Sequence, residues 1–122
     1  LKECERLGIM MASSRLKNLG ISTYKLRLVI EQIKGKSVIN AVNELKFMKS
    51  PAAKAVRRVL ESAIANAENN DLQNRESLKI TQISADKSTT TKRYRAKARG
   101  RAGAFDRPSS HINVEVDEMR ID

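Results

Sequence analysis

Residues 87–107 read KSTTTKRYRAKARGRAGAFDR, and basic residues occupy every second position in the middle of this segment. The alternating cations are Arg93, Arg95, Lys97, Arg99 and Arg101. In an extended backbone, alternate side chains share one face and lie about 6.6 Å apart, whereas a helix would spread them around its axis. The segment is therefore predicted to form an extended β arm, with one cationic face and one face of mostly small residues.

The sequence predicts a strand on each side of this arm. Residues 78–85 and 112–117 alternate with a period of two, which is typical of β-strands. Apolar residues fall in both alternating sets of the first segment, so we expect apolar side chains on both of its faces. They fall in only one set of the second segment, which predicts one buried face. A weaker pattern over residues 15–21 predicts a short edge strand.

Three segments before these strands have apolar residues at helical spacing. Ser22 and Ser37 are placed to cap the first two helices, and Gly35 follows the first helix where a left-handed residue is expected. Ser50 followed by Pro51 predicts the start of a third helix, because proline is favoured at the first helical position. This helix is expected to end near residue 68.

These elements predict an α+β fold of three helices packed on a small antiparallel sheet, with a long extended β-hairpin arm. The hairpin is expected over about residues 86–110. A chain of 122 residues fits one core. We therefore assign residues 13–122 to a single domain and residues 1–12 to an N-terminal extension.

The charge of the chain points to a polyanionic partner. The net charge is +10, and residues 87–107 contribute eight basic residues and one acidic residue. Nucleic acid is favoured over a membrane, since no apolar run approaches the roughly 20 residues of a membrane span. With two Tyr, two Phe and no Trp, the chain lacks the aromatic residues of a base-stacking sheet.

Catalytic and metal-binding patterns are absent from the sequence. One cysteine (Cys4) and one histidine (His111) cannot supply the usual zinc ligand sets, so neither a metal nor another cofactor is predicted. Gly100 and Gly103 lack the Lys-Ser/Thr ending of a phosphate-binding loop. The sequence therefore predicts a binding protein and not an enzyme.

Other interpretations of the basic segment remain open at this point. It could be a solvated, disordered charge run, a nuclear-localisation signal or an ordinary long hairpin loop. Its position between two predicted strands favours the arm. Since nothing apolar anchors it, we expect the arm to be mobile until it binds.

Several stretches resemble the bacterial-type large-subunit ribosomal protein twenty-two family. They are STYKLRLVIEQIKGK (22–36), VLESAIANAENN (59–70), RAKARGRA (95–102) and SSHINVEV (109–116). The resemblance covers about residues 13–119. It implies a structural component of the large ribosomal subunit that binds large-subunit ribosomal RNA, supports subunit assembly and contacts neighbouring ribosomal proteins. It also implies a hairpin that lines the peptide exit tunnel and meets the nascent peptide at its tip.

The charge pattern and the resemblance together predict the residues that bind RNA and line the tunnel. Those expected to bind RNA are Lys25, Arg27, Lys34, Lys36, Lys87, Lys92, Arg93, Arg95, Lys97, Arg99, Arg101, Arg107 and His111. Those expected at the tunnel-lining tip are Lys97, Ala98, Arg99, Gly100, Arg101 and Ala102. With a turn there, the outgoing strand would carry Arg93 and Arg95, and the return strand would carry Arg101. The chain departs from the family at Ala96, where proline is usual, and on the return strand at Gly103, Ala104 and Asp106.

The location implied is a ribosome, in the bacterial cytoplasm or in the matrix of a mitochondrion or plastid. The alternative function is an architectural DNA-binding protein that inserts a basic β-arm into the minor groove. Such arms usually carry an apolar wedge at the tip. Here the tip is small and basic and Phe105 is displaced from it, which favours the ribosomal interpretation.

Overall fold

The structure is a computed structural model that describes residues 11–118. Most of the predicted extension, residues 1–10, lies outside the described residues. Two short 3-10 turns, Arg75–Ser77 and Ala98–Gly100, interrupt the loops. The strands are β1 (Ala12–Leu19), β2 (Leu78–Lys87), β3 (Thr91–Ala96), β4 (Ala102–Arg107) and β5 (Ser110–Glu118), and the helices are α1 (Thr23–Ile33), α2 (Val38–Phe47) and α3 (Pro51–Asn70). The predicted α+β class with three helices is confirmed.

The helices begin at the predicted serines, but only one serine caps through its side chain. Ser50 Oγ accepts a hydrogen bond from the Ala52 N–H at 3.3 Å. Ser22 and Ser37 occupy the N-cap positions, as predicted, but without a side-chain hydrogen bond. Gly35 follows α1 with φ +77°, as expected of a left-handed residue past a helix end.

A three-stranded antiparallel sheet in the order β1-β5-β2 carries the helices on one face. α3 packs across β1 and β5, α1 packs on β2, and α2 packs on α3. The central strand β5 buries alternate residues, as its period predicted: Ser110, Ile112, Val114 and Val116. The single buried face of this strand is confirmed.

The expectation of two apolar faces on β2 is wrong, because the strand contains a β-bulge. Ile80 pairs with Val116, whereas Gln82 pairs with the adjacent Glu115, so Thr81 is the extra residue. The bulge shifts the alternation by one position. As a result, all the apolar residues of β2 reach the same buried face: Leu78, Ile80, Ile83 and Ala85.

The edge strand predicted over residues 15–21 exists but begins earlier. Ala12, assigned from sequence to the extension, is buried at the start of β1. The pairing of β1 with β5 shifts after Leu16, and Asn18 has φ +55° within this bulge. β1, β5 and β2 with the three helices form the body of the molecule, from which the hairpin of β3 and β4 extends.

Candidate nucleic-acid interface

The basic segment forms a two-stranded antiparallel ribbon, which confirms the predicted hairpin. β3 and β4 pair from Thr91 opposite Arg107 to Ala96 opposite Ala102. The ribbon continues β2 and β5, since the Ser88 N–H donates to the carbonyl of Ser109 at 2.9 Å. We call residues 91–107 the arm.

The pairing register sorts the arm's side chains onto two faces, because directly opposite residues share a face. One, the arginine face, carries Thr91, Arg93, Arg95, Gly103, Phe105 and Arg107. The other, the tyrosine face, carries Lys92, Tyr94, Ala96, Ala102, Ala104 and Asp106. The alternation in sequence therefore gave two chemically different faces, as expected for an extended strand.

The ring of Phe105 contacts two of the cations on the arginine face. Its ring centroid lies 4.7 Å from Arg95 Cζ and 5.9 Å from Arg107 Cζ, distances at which a guanidinium is attracted to an aromatic ring. Arg93, directly opposite Phe105, instead donates from Nη1 to the carbonyl of Lys92 at 2.9 Å. Two of the three arginines on this face are therefore held by the ring.

The tip of the arm is a tight turn built from left-handed residues. The Lys97 N–H donates to the carbonyl of Arg101 at 2.6 Å. Arg99 and Gly100 have φ values of +59° and +69° between them. Arg101 lies on the return side of this turn with an extended backbone, one residue before β4 begins at Ala102. Because the chain reverses here, the five alternating cations do not share one strand.

Lys97 lies back over the ribbon instead of pointing away from the tip. A Cβ placed on Gly103 would meet Lys97 Cγ at 2.5 Å and Cε at 2.6 Å. The absence of a side chain at Gly103 thus makes room for the aliphatic part of Lys97. The departure from the family at this position has a local structural consequence.

A cleft of about 630 Å³ lies where the arm joins the body and brings together two predicted RNA-binding residues, Lys25 and Arg107. Ser22, the N-cap residue of α1, and the N-terminus of α3, Ser50 to Ala52, also line it. Helix N-termini carry partial positive charge, which adds to that of the two side chains. Asp106 is the acidic residue of this lining.

Other predicted residues of the body are engaged in internal contacts. Arg27 donates to the carbonyl of Ala85 from Nη2 at 3.2 Å and from Nε at 3.4 Å, which ties α1 to β2. Lys36 Nζ lies 2.7 Å and 2.8 Å from the two carboxylate oxygens of Glu44. Lys34 shares a smaller hollow with Arg27. The charge of Lys36 is therefore compensated within the protein.

His111 holds the base of the arm. Its Nδ1 accepts the backbone N–H of Asn18 at 3.1 Å, and the Asn18 side-chain oxygen accepts a hydrogen bond from Ser88 Oγ. The Asn18 bulge thus links β1 to the point where the arm leaves the body. This contact supports a structural role for His111, and its predicted contact with RNA stays a prediction.

Residues 11–118 contain neither a metal-binding cluster nor a membrane-spanning helix. No group of three or more His, Cys, Asp or Glu side chains is placed to hold a metal ion there. The helices of the same range include none with the length and apolar character required to cross a membrane.

The family model for ribosomal protein L22p/L17e matches residues 14–117, which include both the body and the arm. The chain belongs to this family. Its relatives include the large ribosomal subunit protein uL22 of three Dehalococcoides mccartyi strains, 195, BAV1 and CBDB1. Each is 46% identical over 107 residues, which cover 88% of this chain and 98% of the relative.

Membership of the L22p/L17e family confirms the resemblance found in the sequence. It makes the chain a structural protein of the large ribosomal subunit and not an enzyme. The alternative of an architectural DNA-binding protein has no support from these relatives.

Phe105 is a residue of the candidate interface that the sequence pattern did not predict. The periodicity placed it outside the row of alternating cations, on the return strand. Only the register of β3 with β4 puts Phe105 on the same face as Arg95. One feature of the sequence could have indicated this position. Phe105 and Arg107 are two residues apart, so they share a face of the return strand once the position of the turn is known.

Proposed function

We propose that this L22p/L17e-family protein binds large-subunit ribosomal RNA chiefly through its arm, and thereby helps to assemble the subunit. The observation that carries this proposal is the state of the arm's cations. Within the part of the chain that the structure describes, none of them forms an ion pair with a carboxylate, and all residues from 91 to 102 are exposed. A formed ribbon with uncompensated charge is suited to a polyanion.

Phosphate contacts are the interaction that such a ribbon favours. Arginine guanidinium groups donate in a planar fork that matches the oxygens of a phosphate, and bound counterions are released when the contact forms. The cleft lined by Lys25 and Arg107 extends the same charge onto the body. RNA is therefore expected to contact the arginine face, the tip and this cleft.

For the tip, we infer a position along the peptide exit tunnel, where it would meet the nascent peptide. The family resemblance supports this position, and the chemistry of the turn suits it. Residues 97–102 are small or basic, and they would extend about 20 Å from the start of β3, at about 3.3 Å per residue over its six residues. Neighbouring ribosomal proteins would cover parts of the body.

A bacterial ribosome is the location that we propose, because the relatives described above are all bacterial. The organelle alternative predicts a targeting segment in the coding sequence upstream of Leu1. Sequencing that region distinguishes the two.

The proposed function is tested by co-sedimentation with bacterial large ribosomal subunits that lack this protein. We expect the full chain to bind stoichiometrically and to remain bound in high salt, because the fit of the protein to folded RNA adds contacts that salt does not weaken, whereas salt weakens the phosphate contacts. Release at moderate salt, together with equal affinity for duplex DNA and ribosomal RNA, would contradict the proposal and revive the DNA-binding alternative.

A further inference from the structure

The arginine face contains an aromatic side chain that the proposed phosphate contacts do not themselves require. Phe105 and Gly103 are the half-buried residues of the arm, whose other residues are exposed. The arm has no aliphatic core to cover a ring. Arginine side chains cover it instead.

The two arginines reach the ring from opposite ends of the ribbon. Arg107 lies two residues beyond Phe105 on β4, toward the body, whereas Arg95 pairs with Gly103, nearer the tip. Because their Cζ atoms lie 4.7 Å and 5.9 Å from one ring centroid, the two guanidinium groups are at most about 11 Å apart.

We propose that Phe105 is a positioning residue that holds Arg95 and Arg107 as a preorganised pair of phosphate ligands. A guanidinium over a ring uses its flat face, and its N–H groups, which lie in the guanidinium plane, remain free to donate. Fixing a long side chain before binding reduces the conformational entropy that is lost when the complex forms. This inference rests on the proposed function, since it assigns the phosphate contacts of the same arm.

The spacing of the pair suits a short stretch of one nucleic-acid strand. Because the two guanidinium groups are at most about 11 Å apart, they can contact phosphates that lie close together on one strand. Arg107 also lines the cleft with Lys25. The pair therefore connects the phosphate contacts of the ribbon to those of the body.

The first test replaces the ring in the full chain. The probe is bacterial large-subunit ribosomal RNA transcribed in vitro, with affinity measured over a range of salt concentrations. We expect Phe105→Leu to bind about five- to tenfold more weakly, because two arginines must then be ordered on binding. The slope of log affinity against log salt should stay unchanged, because the phosphate contacts are still made.

Two variants serve as controls. Phe105→Tyr keeps an aromatic ring and should bind as the unaltered chain does. Tyr94→Leu makes the same kind of change on the tyrosine face, where the Tyr94 side chain is 74% exposed. It should change the affinity less than twofold. The melting temperature of each variant should match that of the unaltered chain, because neither residue belongs to the core.

A double-mutant cycle then separates positioning from direct contact. In a chain that already carries Arg95→Ala and Arg107→Ala, Phe105→Leu should have no further effect. A persistent loss would show that the ring itself contacts RNA and would overturn the inference. Unchanged affinity of Phe105→Leu alone would overturn it as well. Failure of the unaltered chain to prefer ribosomal RNA over duplex DNA would instead overturn the proposed function.

Discussion

The arm continues two strands of the body, but the two regions are stabilised in different ways. In the body, β2 and β5 bury one face each beneath the helices, with Leu78 and Ile112 completely inaccessible to solvent. In the arm, which prolongs these strands, no residue from 91 to 107 is buried. Burial of apolar surface stabilises the first region, whereas pairing, a tight turn and cation–ring contacts shape the second.

This difference separates folding from binding within one chain. A two-stranded ribbon without a core is marginal by itself, so the arm depends on the body for its register and on a partner for its rigidity. Two of the hydrogen bonds near its base, from Ser110 Oγ to the Ile21 carbonyl at 2.6 Å and from the Asn18 N–H to His111, hold β5 to the segment that includes β1. Variants of the body should therefore change stability, and variants of the arm should change RNA binding.

The largest effect on stability is expected from the core of the body. Leu60 lies on α3 with no exposed surface, and Leu60→Ala should lower the free energy of unfolding by about 2–5 kcal/mol, because it leaves a cavity. Urea denaturation followed by circular dichroism measures this loss. Phe47→Ala, at a side chain that is 87% exposed, is the control and should change stability by less than about 0.5 kcal/mol. Equal losses in the two variants would contradict the assigned core.

A smaller loss is expected at the junction. Ser110 is fully buried, and Ser110→Ala would leave the carbonyl of Ile21 without this hydrogen bond, at a cost of about 1–3 kcal/mol. Thermal unfolding of this variant, compared with Ser62→Ala on the exposed side of α3, measures the cost. If both substitutions leave the unfolding free energy unchanged, the junction does not stabilise the body.

A substitution in the turn at the tip is expected to destabilise the tip and leave the body unchanged. Gly100 has φ +69° and open space around it, so Gly100→Ala strains the backbone by about 1–2 kcal/mol without a clash. Amide hydrogen exchange of Lys97, whose N–H closes the turn, should become about 5- to 30-fold faster while the body keeps its protection. The control is Gly20→Ala, where an added Cβ also meets open space and φ is not positive. Loss of protection across the body would show that the two regions are coupled.

The smallest expected effect is a difference between two lysines of the body in their contribution to the salt dependence of RNA binding. Lys25→Ala removes a cation from the cleft and should flatten the slope of log affinity against log salt by about 0.7–0.9. Removing the Lys36–Glu44 pair by a double substitution to alanine should leave that slope unchanged, because the pair is already internally neutral. Equal flattening in both variants would place Lys36 among the phosphate ligands.

The sequence predicted the helices and the arm because both depend on local periodicity. Three apolar stripes at helical spacing led to α1, α2 and α3, and the alternating cations led to the extended arm, whereas the turn at its tip was implied by the family resemblance. The third helix ends at Asn70, slightly beyond the expected position, because helix ends depend on local contacts that periodicity does not report.

The errors in the faces and pairing of the strands share one physical cause, which is the register of strands. The bulge at Thr81 moves Ile83 to the other face of β2, and the bulge at Asn18 redirects the edge strand. A shift of one residue reverses every following side chain, and the sequence does not mark where such a shift occurs. For the same reason, the meeting of Phe105 with Arg95 could not be foreseen.

The central claim, that the arm binds RNA while the body supplies stability, is tested most directly by one triple variant. Arg93→Ala, Arg95→Ala and Lys97→Ala remove three cations without touching the core. For affinity to large-subunit ribosomal RNA measured against salt concentration, the log–log slope should become flatter by about 2–3, while the unfolding free energy changes by less than about 0.5 kcal/mol. An unchanged slope would contradict the claim, because the arm would then not be the phosphate-binding element.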